Sequence, residues 1–223
     1  MRVKFAIIIF LAVFTMSGCA YIQKAKRTDE LEIENQNLRA RIAQLQKEKT
    51  KEVERIVKEK EKELSDLEKA KIELEEALKK EIGNYKAKLE MTERGLVITF
   101  LSEVFFDSGK DIIREDGKDS IRRVAEVLNR DVPNSDVAIE GHTDNQPIKY
   151  SGWKTNWELS SARALAVLHY LIDDCEVKPT RLSANGYGEF RPVAGNDTKE
   201  NMQKNRRVEI VILSSKISKV KAN

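Results

Sequence analysis

The sequence predicts an α+β protein: a β-α-β-α-β-β domain over residues 94–214, preceded by a long helical coiled-coil rod over residues 29–93. Three observations lead there. The stretch from Lys24 to Arg94 holds no proline and one glycine, Gly83, and is built from Glu, Lys, Arg, Leu and Ile, all strong helix formers. After Gly95 glycine, proline and aromatic residues return, and short β-branched runs alternate with helical ones. Ahead of both lies a short apolar leader. Composition agrees: of 223 residues, 35% are charged and 6% aromatic, more charge than one compact globule carries. The net charge of +3 gives no domain-wide basic excess, so nucleic acid is not an expected partner. Two histidines, His142 and His169, and two cysteines, Cys19 and Cys175, do not form a zinc-ligand spacing. Neither a metal nor another cofactor is expected.

Residues 1–18 open with basic Arg2 and Lys4, continue as an apolar run from Phe5 to Met16, and end in small residues. The run falls short of the roughly 20 residues a spanning helix needs. It carries no Asp or Glu that could relay protons inside a membrane. This is the layout of a secretory signal peptide. Ser17 and Gly18 directly ahead of Cys19 resemble the bacterial lipobox, which implies cleavage before Cys19 and acylation of that cysteine. Met16 stands where leucine is commoner. By the same resemblance Ala20 favours sorting to the outer membrane, where several acyl chains hold firmly and one holds only marginally. Residues 19–28 are then the lipidated cysteine and its tether, and the chain faces the periplasm. With Cys19 acylated, Cys175 has no partner in the chain and reads as a small buried hydrophobe at a helix end.

In the rod, Leu31, Leu38 and Leu45 recur every seven residues, with Ile42 between them, which is heptad spacing. Leu45, Ile56, Leu67, Leu78 and Leu89 then recur every eleven, with Ile42, Val53 and Leu64 as a second row. An eleven-residue repeat drifts opposite to a heptad. The expectation is a coiled coil that starts left-handed and unwinds, with self-association as a homo-oligomer. The alternative is a solvated single helix held by pairs such as Glu54–Lys58 and Glu75–Lys79. Some 60 helical residues at about 1.5 Å each would make a spacer roughly 90–100 Å long.

In the domain, "GLVITFL" (95–101) reads as a strand. A helix near 115–130 follows, with Ile121, Val124, Ala125 and Leu128 on one face. "DVAIEGHT" (136–143) is a second strand and 146–154 a loop. The next helix opens with Thr155 and Glu158 three apart, a capping box. "RLSANGYGE" is a third strand and "NRRVEIVIL" (205–213) a fourth. Residues 215–223 form a basic tail.

"FDSG", "EGHTDN", "NWELSSARA", "GYGE" with Pro192, and "NRRVEI" occur in that order over residues 96–213. Together they resemble the peptidoglycan-binding domain shared by OmpA, Pal and MotB. The loop between Asn145 and Thr155, and Trp157 before Glu158, are most similar to the MotB-like branch. Asn201-Met202 departs from a Gly-Arg pair frequent in the family. The resemblance implies that the ligand is the free amino-acid end of diaminopimelate in the cell-wall stem peptide, with Asp144 as the anion for its ammonium and Arg163 as the cation for its carboxylate.

The residues support that pairing. Asp144 ends a strand, where a carboxylate stays accessible. Asn156, Leu159, Ser160 and Arg163 share one helix face, and a long helical side chain leans back toward the helix start, where N–H groups and the dipole favour a carboxylate. A salt bridge tying strand to helix is the plain alternative for Asp144 and Arg163. Thr143 and Asn145 are candidate flanking contacts. Alternation along a strand sends Arg206 and Arg207 to opposite faces, so one of them, Arg206, can line the site. No catalytic residue is expected: Ser151, Ser160 and Ser161 lack a nucleophile-elbow pattern, and Gly186 and Gly188 are not followed by a helix as a phosphate loop would be. His142 reads as a packing residue, as does His169. The expected function is an outer-membrane lipoprotein that tethers the membrane to peptidoglycan. A MotB-like stator and a wall-cleaving enzyme are the alternatives.

Overall fold

A computed structural model describes residues 24–149 and 151–214, and the backbone alone of residues 2–23. The leader, the Cys19 lipidation site and the tail lie outside the residues whose side chains are described. No helix among the described residues is long and apolar enough to cross a membrane. The chain divides into two compact units, Met1–Lys60 and Glu61–Asn223.

The first unit is helix α1 (Arg2–Ala77) up to residue 60. From Lys24 on, every residue in it is solvent-facing except the half-buried Lys60. Ion pairs at helical spacing decorate it, such as Arg55 with Glu52 at 2.5 Å and with Glu59 at 3.2 Å.

In the second unit the end of α1 does not continue as a rod. Leu67, Ala70, Leu74 and Leu78 are almost fully buried and join the main hydrophobic core. A short helix α2 (Lys79–Gly83) and a strand β1 (Ala87–Thr92) follow. The rod expected over 29–93 therefore ends early, and residues 67–92 belong to the folded domain. The composition break at Gly95 is the turn of a hairpin, not the start of the domain. Strand β1 pairs antiparallel with β2 (Gly95–Leu101), with Thr92 opposite Gly95. Gly95 has φ +127°, and a Cβ there would meet the Ile212 carbonyl oxygen at 2.0 Å, so only glycine fits.

The remaining order is α3 (Glu115–Arg130), β3 (Val137–His142), α4 (Asn156–Asp173), β4 (Leu182–Gly186), α5 (Lys199–Asn205) and β5 (Arg207–Leu213). From residue 95 this is the expected order with α5 added between the last two strands. Its sequence signal is the cap, Thr198, whose hydroxyl accepts from the Asn201 N–H. The sheet runs β1-β2-β5-β3-β4, with β3 parallel to β4 and the other pairs antiparallel.

One sheet face carries the core. Ile98, Phe100, Val137, Ile139, Ile210 and Ile212 pack there with Ile121, Val124 and Leu128 of α3 and Ala164, Val167 and Leu171 of α4. The other face has a small apolar cluster, Val97, Ala138 and Val211. Two glycines let α4 lie close on the sheet. A Cβ on Gly141 would fall 2.1 Å from the Ser160 carbonyl oxygen, and one on Gly186 would fall 2.1 Å from the Ser161 hydroxyl. This close crossing brings the first turns of α4 beside the chain leaving β3.

Candidate functional site

Helix α4 is capped largely as its sequence predicts. The Thr155 hydroxyl accepts from the Glu158 N–H at 3.2 Å. The Glu158 carboxylate reaches back to the Lys154 N–H at 2.7 Å, one residue further than the usual reciprocal bond. The cap thus takes up one of the helix-start N–H groups that the sequence reading offered to a ligand carboxylate.

Beside this helix start lies a cleft of about 540 Å³, walled by the turn after β2, the loop after β3 and α4. Thr143, Asp144, Asn156, Leu159, Arg163 and Arg206, all named as candidates from the sequence, line it. Asn145, the seventh candidate, is exposed and is not part of the lining.

Strand β3 ends at His142, and the Thr143 N–H donates to the Gly188 carbonyl at 2.9 Å. The Asp144 carboxylate is 9% exposed. One of its oxygens accepts from the Gln146 N–H at 3.1 Å and the other from Arg206 Nη1 at 2.5 Å. The Asn156 amide, facing the same strand end, donates to the carbonyls of Asp144 and Gln146 and to the Glu189 carboxylate at 2.7 Å.

Arg163 is buried but forms no salt bridge among the described residues. Its Nε donates to the Lys110 carbonyl at 2.9 Å and its Nη2 to the Asp107 carbonyl at 3.1 Å. The guanidinium lies 5.2 Å from the centre of the Phe106 ring. Its Nη1 forms no hydrogen bond among the described residues. Burial, then the nearby Arg206, lowers its pKa to about 10, opposed by Asp111 and Asp144, so it stays charged at neutral pH. The Asp144–Arg163 salt bridge weighed as the plain alternative is not formed; Arg206 takes that place.

Three further hydroxyls complete the cleft. Ser102, Thr143 and Ser151 each line it with a buried oxygen that has no hydrogen-bond partner among the described residues. Buried polar groups are nearly always paired, by protein, water or ligand, so these three hydroxyls are available to a polar partner in the cleft. Sequence reasoning found Thr143 but missed Ser102, Ser151, Gln146 and the Asp107 and Lys110 carbonyls. The "FDSG" motif was the available signal for the last pair. It forms the turn on which Arg163 rests, and the Trp153 indole N–H fastens the 146–154 loop to it at the Gly109 carbonyl, 3.1 Å.

His142 and Asp144 do not share a site. The Gly141 position faces α4, so alternation puts Glu140 and His142 on the opposite sheet face. Ligand atoms of Glu140, His142 and Glu209 gather there within 4.8 Å. Both carboxylates are already engaged, Glu140 by Arg94 and Glu209 by Arg207 Nε at 2.6 Å. His169 is exposed on α4. Ser160 bridges the Trp157 carbonyl and the Gly188 N–H. Among the described residues the cleft therefore holds no serine–histidine pair.

The OmpA family model matches residues 105–206. Motility protein B of Bacillus subtilis is 40% identical over 148 residues, 66% of this chain and 56% of that protein. The uncharacterized protein YtxE of Bacillus subtilis is 32% identical over 217 residues, covering 94% of this chain and 84% of its own length. Among solved structures, the cell wall anchor of the T6SS from Pseudomonas aeruginosa superposes with a TM-score of 0.58 at 30% identity, covering 64% of this chain and 97% of that one. The periplasmic domain of Helicobacter pylori MotB gives 0.55 at 31%, covering 61% and 88%. On fold, ordered motifs and these matches, the chain belongs to the OmpA family, with MotB-like relatives.

Proposed function

We propose that the chain holds peptidoglycan non-covalently, its cleft receiving the free amino-acid end of a diaminopimelate stem. The observation that carries this is the separation of charges. Asp144 and Arg163 line one cleft without pairing, and three orphan hydroxyls stand around them. A zwitterion carries an ammonium for Asp144 and a carboxylate for the open Nη1 of Arg163. The Asp144–Arg206 pair must yield to it. Arg206, whose side chain is 41% exposed, can turn out into solvent, while the Asp144 carboxylate, 9% exposed, exchanges one cation for another. Once released, Arg206 is a second cation for the ligand's carboxylate, and Thr143, Asn156 and Leu159 shape the walls. The solved cell wall anchor among the similar structures is in keeping with this reading.

Sedimentation of the full chain with purified sacculi tests it. Asp144→Ala and Arg163→Ala should each weaken binding by more than tenfold, since a lost charge contact in a buried site costs about 2–5 kcal/mol. Melting curves of both variants control for folding. If both sediment like the wild type, the cleft is not the site.

The leader supports placement as an outer-membrane lipoprotein facing the periplasm, acylated at Cys19, with the proline-free helix as spacer and self-association through its apolar rows. A second reading, a stator-like anchor in an ion-driven motor, fits the 40% identity to Motility protein B at least as well. Labelling with a radioactive fatty acid separates them: label lost in Cys19→Ser supports the lipoprotein, and label retained in that variant overturns it. Neither reading involves catalysis.

A further inference from the structure

Trp157 and Phe190 stack on each other in solvent, ring centroids 5.1 Å apart and planes at 22°. Trp157 is 47% exposed and Phe190 63%. Two large rings left in water forgo the burial that such side chains usually find. The pair is also held rigidly. Trp157 follows Asn156, and Phe190 follows Glu189, whose carboxylate takes the Asn156 amide at 2.7 Å. The turn beneath is fixed by the Gly188 N–H on the Ser160 hydroxyl, by the Gly188 carbonyl on the Thr143 N–H, and by Gly188 itself at φ +55°. Trp157 and Phe190 thus each stand one residue beyond the Asn156–Glu189 contact, beside the cleft that Asn156 lines.

We infer that this pair is a stacking platform for the glycan strand of the wall, a second subsite beside the cleft. The inference rests on the proposed stem-peptide reading. A pyranose ring has an apolar face of C–H groups that packs on an aromatic ring through dispersion and loss of water. Its hydroxyls stay at the edges, in solvent. Diaminopimelate is the third residue from the sugar, so about 10 Å of extended chain separates them at roughly 3.5 Å per residue. A stem seated in the cleft thus carries its N-acetylhexosamine out beyond the cleft walls, where the neighbouring stack can receive it. A stack already ordered before binding loses little freedom when the sugar arrives.

Calorimetry with the full chain and two soluble probes tests this. One is the free stem tripeptide ending in diaminopimelate; the other is the same peptide carried on two disaccharide repeats. The wild type should bind the glycan-bearing probe about tenfold more tightly. Trp157→Ala and Phe190→Ala should remove that preference and leave affinity for the free tripeptide unchanged, whereas Asp144→Ala weakens both probes. Equal binding of the two probes by the wild type, or a preference that survives Trp157→Ala, overturns the platform and leaves the cleft reading standing. If neither probe binds the wild type, both fall. Trp157→Phe, which keeps an aromatic face, should retain most of the preference. Should either Ala variant melt early, Trp157→Leu or Phe190→Leu, which keeps apolar bulk without an aromatic face, takes its place and should likewise lose the preference.

Discussion

Both ring nitrogens of His142 are buried without a hydrogen-bond partner among the described residues, its ring packs 5.2 Å from that of Tyr187, and the carboxylates gathered near it, Glu140 and Glu209, are each paired with an arginine. Burial first, then Arg207, Arg191 and Arg94, lower its pKa from 6.5 to about 3. The native histidine is therefore neutral where the unfolded one is protonated. Below pH 6.5 the unfolded chain binds the extra proton, so stability is full above that pH and falls as pH drops toward 3. The slope approaches about 1.4 kcal/mol per pH unit. Glu81 adds nothing until the pH nears the ordinary carboxylate range: desolvation raises its pKa, but bonds from Ser120 and Arg123 leave it lowered overall. Melting curves between pH 7 and 5 should show a decline in the wild type that is flattened in His142→Leu; parallel curves would refute the assignment. At this scale the sequence was informative where chemistry forced a choice. An acid at a strand end and an arginine on the facing helix were named through the family's motifs as Asp144 and Arg163, and both line the cleft. The pairing of Arg206 with Asp144 was not legible: Arg206 could be named as a lining residue, but nothing in the sequence shows which carboxylate it meets. The adjacency of His142 and Asp144 misleads because the strand stops between them.

Among the elements, α3 and β5 could be read from the residues because one periodicity accounts for each of them. The segment 67–92 could not. Its eleven-residue row of leucines is real, and Leu67 and Leu78 are buried as a seam should be. What covers them is the core of their own domain, and a period says only that a face is apolar. Strand β1, "AKLEMT", consists largely of good helix formers and becomes a strand only because β2 offers it an edge. A fragment of residues 94–223, cut at the composition break, would lose Leu67, Leu74 and Leu78, each worth about 1.5–3 kcal/mol in burial. It would also lay bare the apolar edge of β2. Compared with residues 61–223 it should aggregate, or melt more than about 10 °C lower, by circular dichroism and light scattering. Leu74→Ala within the longer fragment should cost about 2–5 kcal/mol. Equal melting of the two fragments would contradict this account of where the domain begins.

For the whole molecule, the remaining question is what covers the apolar row of the first unit. Leu31, Leu38, Ile42, Leu45, Val53 and Ile56 are each roughly half exposed on a helix that is otherwise mostly charged and polar. Side-chain pairs such as Arg55–Glu52 and Gln44–Glu48 contribute only about 0.2–0.5 kcal/mol apiece, and a helix so highly charged does not gain its order from them alone. A second copy with the same row in register would bury it. Sedimentation equilibrium of the full chain should then show self-association, and Leu38→Asp combined with Leu45→Asp should return the monomer without changing the melting of residues 61–223. The same double variant has a consequence for the wall. An assembly with two clefts meets a polymer that repeats its stem peptide, so the second contact forms at high effective concentration. The monomeric variant should therefore lose about ten- to hundredfold in apparent affinity for sacculi, while its affinity for a free tripeptide stays as in the wild type. If the variant sediments with sacculi as the wild type does, one cleft suffices and the apolar row serves some other contact. If the wild type is monomeric at every concentration, pairing through this row is wrong.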